Sequence, residues 1–219
     1  MTEKVVCLIS GGIDSPVAAA IASRSFEIIP LHFCLYPYTC EENFFTAVEV
    51  MKKLKEKVGF EKALVFPWGR ILKRILGSGG RYSCVLCRSG MFKVAEAICE
   101  REGAAGIVTG ESIGQKASQT IQNLAVTSGG IKLPIIRPLL CRDKVEVVEM
   151  SRRLGLWEEV HAGCCYATPK HPTTKAKKDV ALALAEKIGL ESLIFEEFKN
   201  ILELRDFRED LRGFLDAST

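Results

Sequence analysis

The stretch Ser10-Gly11-Gly12-Ile13-Asp14-Ser15 follows an apolar run at residues 5–9 and precedes a helical pattern that opens at Pro16. At a strand-to-helix turn, Gly11 and Gly12 allow backbone conformations closed to other residues, so that successive N–H groups converge on an oxyanion. The hydroxyls of Ser10 and Ser15 add donors, and the start of the helix adds the positive end of its dipole. A phosphate suits this combination, with Asp14 placed to hold a magnesium ion or a water. A tight turn with a serine cap accounts for the same residues without a ligand. The spacing matches neither G-x-x-x-x-G-K-[ST] nor G-x-G-x-x-G. A second chemical signal is Cys84-Val85-Leu86-Cys87, whose C-x-x-C spacing at the entrance to a helical pattern lets both sulfurs approach one metal or each other.

The elements that must position these residues follow from periodicity. Strands are expected at residues 5–9, 28–33, 63–66, 106–109 and 135–137, and helices at 16–25, 42–57, 87–102 and 144–154. Strands alternating with helices of this length imply βαβ units, hence an α/β fold with a doubly wound parallel sheet covered by helices on both faces. Ligands of such sheets bind outside the carboxyl ends of the strands, where the Ser10–Ser15 segment falls. Residues 77–80 and 128–130 read as loops. The chain is expected to divide into a domain at 1–178 and a helical extension at 179–219, with helices near 174–188, 190–204 and 206–215.

The 219 residues are 47% hydrophobic, enough for one sizeable core. A net charge of +3 does not by itself indicate a polyanionic partner. No apolar run reaches membrane-spanning length and no leader is evident, so a cytoplasmic protein without a membrane partner is expected. Nine cysteines in such a chain point to reactive or metal-binding thiols in place of a disulfide framework.

Ser10-Gly-Gly-Ile-Asp-Ser15 resembles the SGGxDS pyrophosphate loop of the PP-loop, or N-type, ATPases, which cleave ATP to AMP and pyrophosphate. Val108-Thr-Gly-Glu-Ser-Ile-Gly-Gln115, Ala117-Ser-Gln-Thr120, Ile136-Arg-Pro-Leu139, Asp143-Lys144 and Cys165-Tyr-Ala-Thr-Pro-Lys-His-Pro172 resemble the catalytic domain of the tRNA 4-thiouridine synthetase (tRNA sulfurtransferase) family. The resemblance runs from about residue 4 to 178. It implies adenylation of a uridine carbonyl and replacement of its oxygen by sulfur, with ATP and Mg2+ bound at Ser10, Gly11, Gly12, Asp14 and Ser15. His32 and Phe33 would border the adenine, and Thr109, Gly110, Glu111, Gln115, Ser118 and Gln119 would meet the nucleotide or the target base, although capping of the next helix also fits this group. Lys144 is implied to be catalytic, offsetting charge on the phosphate.

Cys165 matches the family position of the sulfur-handling cysteine. Adjacent Cys164 and Cys165 point in different directions in most backbone conformations, so one of the two is expected as the third member of the cysteine site and the other as its neighbour. A 4Fe–4S cluster on Cys84, Cys87 and Cys165, as in an archaeal branch of the family, would leave one iron open to sulfide. Zinc would want a fourth ligand from Cys164 or His161. A persulfide on Cys165, delivered by a carrier and resolved by Cys84 or Cys87, needs no metal. Cys7, Cys34, Cys99 and Cys141 fall where small buried thiols are common.

Residues 62–95 and 160–178 contain no Asp or Glu, and both tracts flank the cysteines. Arg70, Lys73, Arg74, Arg81, Arg88, Lys170 and Lys175 are therefore candidate tRNA contacts, with Trp68, Tyr82 and Tyr166 as candidate stacking platforms. Family members carry ferredoxin-like and THUMP regions before the ATPase, and bacterial ones a rhodanese domain after it. Their absence here implies a separate recruiting protein, tRNA binding through the basic tracts alone, or a small acceptor such as a thiazole precursor. A non-catalytic nucleotide- or metal-binding subunit is the remaining alternative. The tail helices suit a homodimer.

Overall fold

The computed structural model describes residues 2–157 and 165–218. Six strands form one sheet in the order β5-β4-β1-β2-β3-β6. They are β1 (Lys4–Ile9), β2 (Glu27–Cys34), β3 (Ala63–Pro67), β4 (Ala104–Thr109), β5 (Ile135–Ile136) and β6 (Leu202–Leu204). The first five pair in parallel, and β6 runs antiparallel to β3. Along β1, Val5, Cys7 and Ile9 enter one core while Val6 and Leu8 enter the other, as strict alternation requires of a strand buried on both faces.

The helices cover both faces. Helices α1 (Asp14–Ala22), α2 (Glu41–Val58), α6 (Lys144–Leu154) and α9 (Leu211–Ala217) supply Val17, Met51, Val147 and Leu215 to the first core. Helices α3 (Gly69–Gly79), α4 (Ser83–Glu102), α7 (Lys178–Ile188) and α8 (Leu190–Glu197) supply Ile71, Phe92, Ile188 and Ile194 to the second. Helix α5 (Ile121–Ser128) lies beside α4. Strands β2 and β3 continue to one side of β1 while β4 and β5 lie on the other, so the sheet order reverses between β1 and β4. A crevice opens at such a switch point.

The expected fold class is observed, and three local differences have physical reasons. Residues 202–204 form a strand, not the end of a helix, because the outer edge of β3 offers unpaired backbone groups and Glu203 pairs with Lys62. Helix α3 occupies a segment whose glycines hide a helical stripe of Ile71, Leu72 and Ile75, all buried. Helix α4 starts at Ser83, four residues before the expected Cys87, continuing from a 3-10 turn at Gly80–Tyr82.

Leu204→Ala should therefore cost about 2–5 kcal/mol in urea unfolding, as for a buried leucine. Phe195→Ala, at a residue 82% exposed, should change stability by less than about 0.5 kcal/mol.

Candidate active site at the β1–β4 switch point

A cavity of about 540 Å3 opens beyond the carboxyl ends of β1, β2 and β4. Ser10, Asp14 and Ser15 of the loop after β1 line it together with Cys84, Cys87 and Cys165. His32, Phe33, Thr109, Gly110, Ser118 and Gln119 also line it, as does Arg88, whereas Gly11, Gly12, Glu111 and Gln115 do not.

The loop after β1 is braced from within. Ser10 N–H donates to Ser15 Oγ at 2.8 Å, the two hydroxyls lie 3.1 Å apart, and Gly12 N–H donates to Ser10 Oγ at 3.3 Å. No side chain caps α1, so its first N–H groups keep their donor capacity for a ligand at the mouth. Gly11 and Gly12 do not adopt positive φ, contrary to the expected reason for their presence. A Cβ on Gly12 would meet only Ser10 Oγ, at 3.4 Å, so its small size keeps the loop's amides uncovered. The tight constraint lies across the crevice. A Cβ on Gly110 would stand 2.7 Å from Asp14 C and Ser15 N, so the β4 loop packs against the first turn of α1 without a side chain between them.

Lys144 begins α6, where Asp143 and Glu146 form a capping box: Val145 N–H donates to Asp143 Oδ1 at 2.7 Å and Asp143 N–H to Glu146 Oε2 at 3.1 Å. That cap sets Lys144 Nζ 2.7 Å from Asp14 Oδ1. His32 is buried, and its Nδ1–H donates to the Ile9 carbonyl at 2.9 Å. Burial lowers its pKa from 6.5 to about 4, opposed by that hydrogen bond, so the ring is neutral at neutral pH.

Cys84 and Cys87 lie three apart in the first turns of α4 and so share one helix face. Trp68 Nε1–H donates to Cys87 Sγ at 3.1 Å. Trp68 is wholly buried against Phe33 and Phe66, which removes it from the candidate stacking platforms. The Tyr82 hydroxyl accepts from Lys177 N–H at 3.2 Å, and Tyr166 is 72% exposed. Cys165 reaches the cavity on an arm pinned at several points. Tyr166 N–H donates to the Tyr38 carbonyl at 2.9 Å, and Thr173 N–H to the Arg81 carbonyl at 3.0 Å. Asn123, a fully buried side chain that sequence reasoning missed, donates to the Ala117 and Thr173 carbonyls at 2.7 and 2.8 Å and accepts from Ala176 N–H at 2.9 Å. Its neighbour Thr120, the N-cap of α5, was the available signal.

Among the described residues, no three His, Cys, Asp or Glu side chains gather closely enough to hold a metal. Cys164 and His161 lie outside the described residues. Burial pushes the thiols of Cys34 and Cys99 up to about 11 and that of Cys7 higher still, so these three serve packing, as expected. Cys141 instead is exposed.

The acid-free tracts are partly neutralised in three dimensions. Lys62 pairs with Glu102 and Glu203, Arg70 with Glu197, Lys93 with Glu191, and Arg88 with Glu111. Lys73, Arg74, Lys170 and Lys175 stay exposed, and exposed Arg81 donates to the His171 carbonyl at 3.2 Å.

Residues 1–190 match the family model described as "Thiamine biosynthesis protein (ThiI)". The chain belongs to the ThiI family. A relative in Methanothermobacter thermautotrophicus, called a probable tRNA sulfurtransferase, is 38% identical over 93% of this chain and 54% of its own length. A solved 4-thiouridine synthetase in complex with RNA and bound ATP superposes with a TM-score of 0.81 at 32% identity, over 92% of this chain and 54% of that one. The U34-tRNA thiolase NcsA of Methanococcus maripaludis, solved with its [4Fe-4S] cluster, shares the fold (TM-score 0.53, 18% identity, 96% of this chain, 77% of that one). This ThiI chain thus spans about half the length of the curated relative it matches. Among its described residues, no helix is long and apolar enough to cross a membrane.

Two outcomes test the geometry. Asn123→Ala should release the arm, seen as faster proteolytic cleavage within residues 165–177 while the rest of the chain stays protected. Because the unfolded chain protonates His32 near pH 6.5 and the folded chain only near pH 4, stability should fall by about 3 kcal/mol as pH drops across that window. His32→Gln should flatten that acid limb in urea unfolding.

Proposed function

We propose that this chain adenylates a tRNA uridine carbonyl and replaces its oxygen with sulfur. The observation that carries the reading is one cavity lined both by the phosphate-loop residues Ser10, Asp14 and Ser15 and by three cysteines, Cys84, Cys87 and Cys165. Membership of the ThiI family and the sulfurtransferase relative support it.

In this reading the ATP phosphates lie on the Ser10–Ser15 loop and the free N-terminus of α1, with Lys144 and Arg88 adding positive charge. A magnesium ion would be held by Asp14, which already carries Lys144, and would supply charge neutralisation. Neutral His32, with Phe33, borders the adenine, and Thr109, Gly110 and Gln119 hold the nucleotide against the base. The uridine carbonyl oxygen attacks the α-phosphorus and pyrophosphate leaves. Sulfide then adds to the same carbon, and AMP departs with the former carbonyl oxygen. Hydroxide would be a poor leaving group in its place, which is why activation precedes substitution.

Cys84, Cys87 and Cys165 handle the sulfur. A 4Fe–4S cluster would require Cys84, Cys87 and Cys165 to draw closer together than they stand here, and would then supply an iron with an open position for sulfide. The persulfide route uses the same thiols and replaces sulfide by a carrier plus a reductant. Exposed Lys73, Arg74, Arg81, Lys170 and Lys175 bind the tRNA backbone, in a salt-dependent manner. The family description favours one second reading, a small thiazole-precursor acceptor, which AMP formation responsive to that carbonyl and indifferent to tRNA would establish.

The test is nucleoside mass spectrometry on unmodified tRNA incubated anaerobically with iron-reconstituted protein, Mg-ATP and sulfide. 4-Thiouridine should form only with ATP. Asp14→Ala should reduce both pyrophosphate release and thiolation about 100-fold or more, while Cys165→Ser should abolish thiolation and AMP release and retain a burst of pyrophosphate. Unchanged thiolation in both variants would overturn the mechanism.

A further inference from the structure

Glu111 was expected at the nucleotide, yet its carboxylate is wholly buried and does not line the cavity. Arg88 Nε–H donates to Oε1 at 2.7 Å and Arg137 Nε–H to Oε2 at 2.8 Å, so one carboxylate joins two guanidinium groups. Each guanidinium has a second anchor. Arg88 Nη2 donates to Thr109 Oγ1 at 3.0 Å, and Arg137 Nη2 to Ser128 Oγ at 2.7 Å. Both lie over the ring of Phe92, at 5.2 and 5.8 Å. The knot therefore ties α4, the end of β4, α5 and the segment after β5 to one buried point.

Its charges do not cancel. Two cations share one anion, and of the two only Arg88 lines the cavity, beside Ser15, Thr109 and Gly110. Arg137 alone would neutralise Glu111, so the surplus positive charge belongs on the cavity wall. A guanidinium fixed at Nε and at one Nη has a defined plane, which leaves Nη1 as the terminal nitrogen not committed to Glu111 or Thr109. A freely rotating arginine would have to lose that freedom on binding an anion.

We propose that Glu111, seconded by Arg137, is a positioning residue that acts through Arg88 on the nucleotide, pre-orienting the guanidinium for the ATP phosphates. The proposal rests on the adenylation reading. Glu111 itself touches no substrate, and its effect on ATP must pass through Arg88.

Calorimetric titration of Mg-ATP into the intact chain tests this with a double-mutant cycle. Glu111→Gln preserves size and one hydrogen-bonding oxygen, and should weaken Mg-ATP binding about tenfold or more, as expected for loss of charge-assisted hydrogen bonds. Arg88→Ala should weaken it at least as much, and the double variant should bind no more weakly than Arg88→Ala alone. Should Glu111→Gln fail to fold, Ser128→Ala removes the hydroxyl that receives Arg137 Nη2 and loosens the knot from the side away from the cavity. It should weaken binding in the wild-type background and have no effect in Arg88→Ala. Wild-type affinity in Glu111→Gln, or an equal weakening by either substitution whether or not Arg88 is present, would overturn the proposal while leaving adenylation standing. Failure of the wild-type chain to bind Mg-ATP would overturn the adenylation reading and this assignment with it.

Discussion

The site depends on the approach of two backbone segments. Strands β1 and β4 are neighbours at the reversal of the sheet, and the loops that leave them must pass each other to reach α1 and α5. Gly110 makes that passage possible, since any Cβ there would overlap the peptide joining Asp14 to Ser15. The consequence reaches beyond a turn. With no side chain between the loops, the N-terminus of α1 and the Thr109–Gly110 edge face a common space, and a ligand held by one is held against the other.

Charge is arranged around that space with a clear division. Asp14 and Lys144 form a partly exposed pair at the mouth, where solvent and a metal–phosphate group can exchange with it. Glu111, by contrast, is removed from water, holds one arginine on each carboxylate oxygen and does not line the cavity. A buried carboxylate left with one partner would be costly, which is why these three side chains form a unit and not a set of independent contacts. His32 adds a polar surface without charge, because burial keeps it neutral. In the adenylation reading, the loop after β1 would meet the phosphates and neutral His32 the adenine.

Much of this was legible in the sequence. Strand periodicity located β1 to β4 because these strands are buried on both faces and read as continuous apolar runs. The helix expected at 144–154 is α6, and the Asp143–Glu146 capping box fixes its start. What escaped depends on distance in space. β6 is three residues long and becomes a strand only because β3 offers an edge. Arg88 stood in an acid-free tract and looked available to RNA, but Glu111, 23 residues away, claims it. For Asn123 the Thr120 cap marks only the helix start, and its importance comes from carbonyls and an amide that fold over it from residues 117, 173 and 176.

The central claim is that the departing oxygen leaves on AMP. It is tested most directly with tRNA whose target uridine carries oxygen-18 at the carbonyl, incubated with the protein, Mg-ATP and a sulfur donor, followed by mass spectrometry of the AMP. The account predicts one oxygen-18 in the AMP phosphate for each thiolated uridine. Unlabelled AMP formed alongside thiolated tRNA would contradict it.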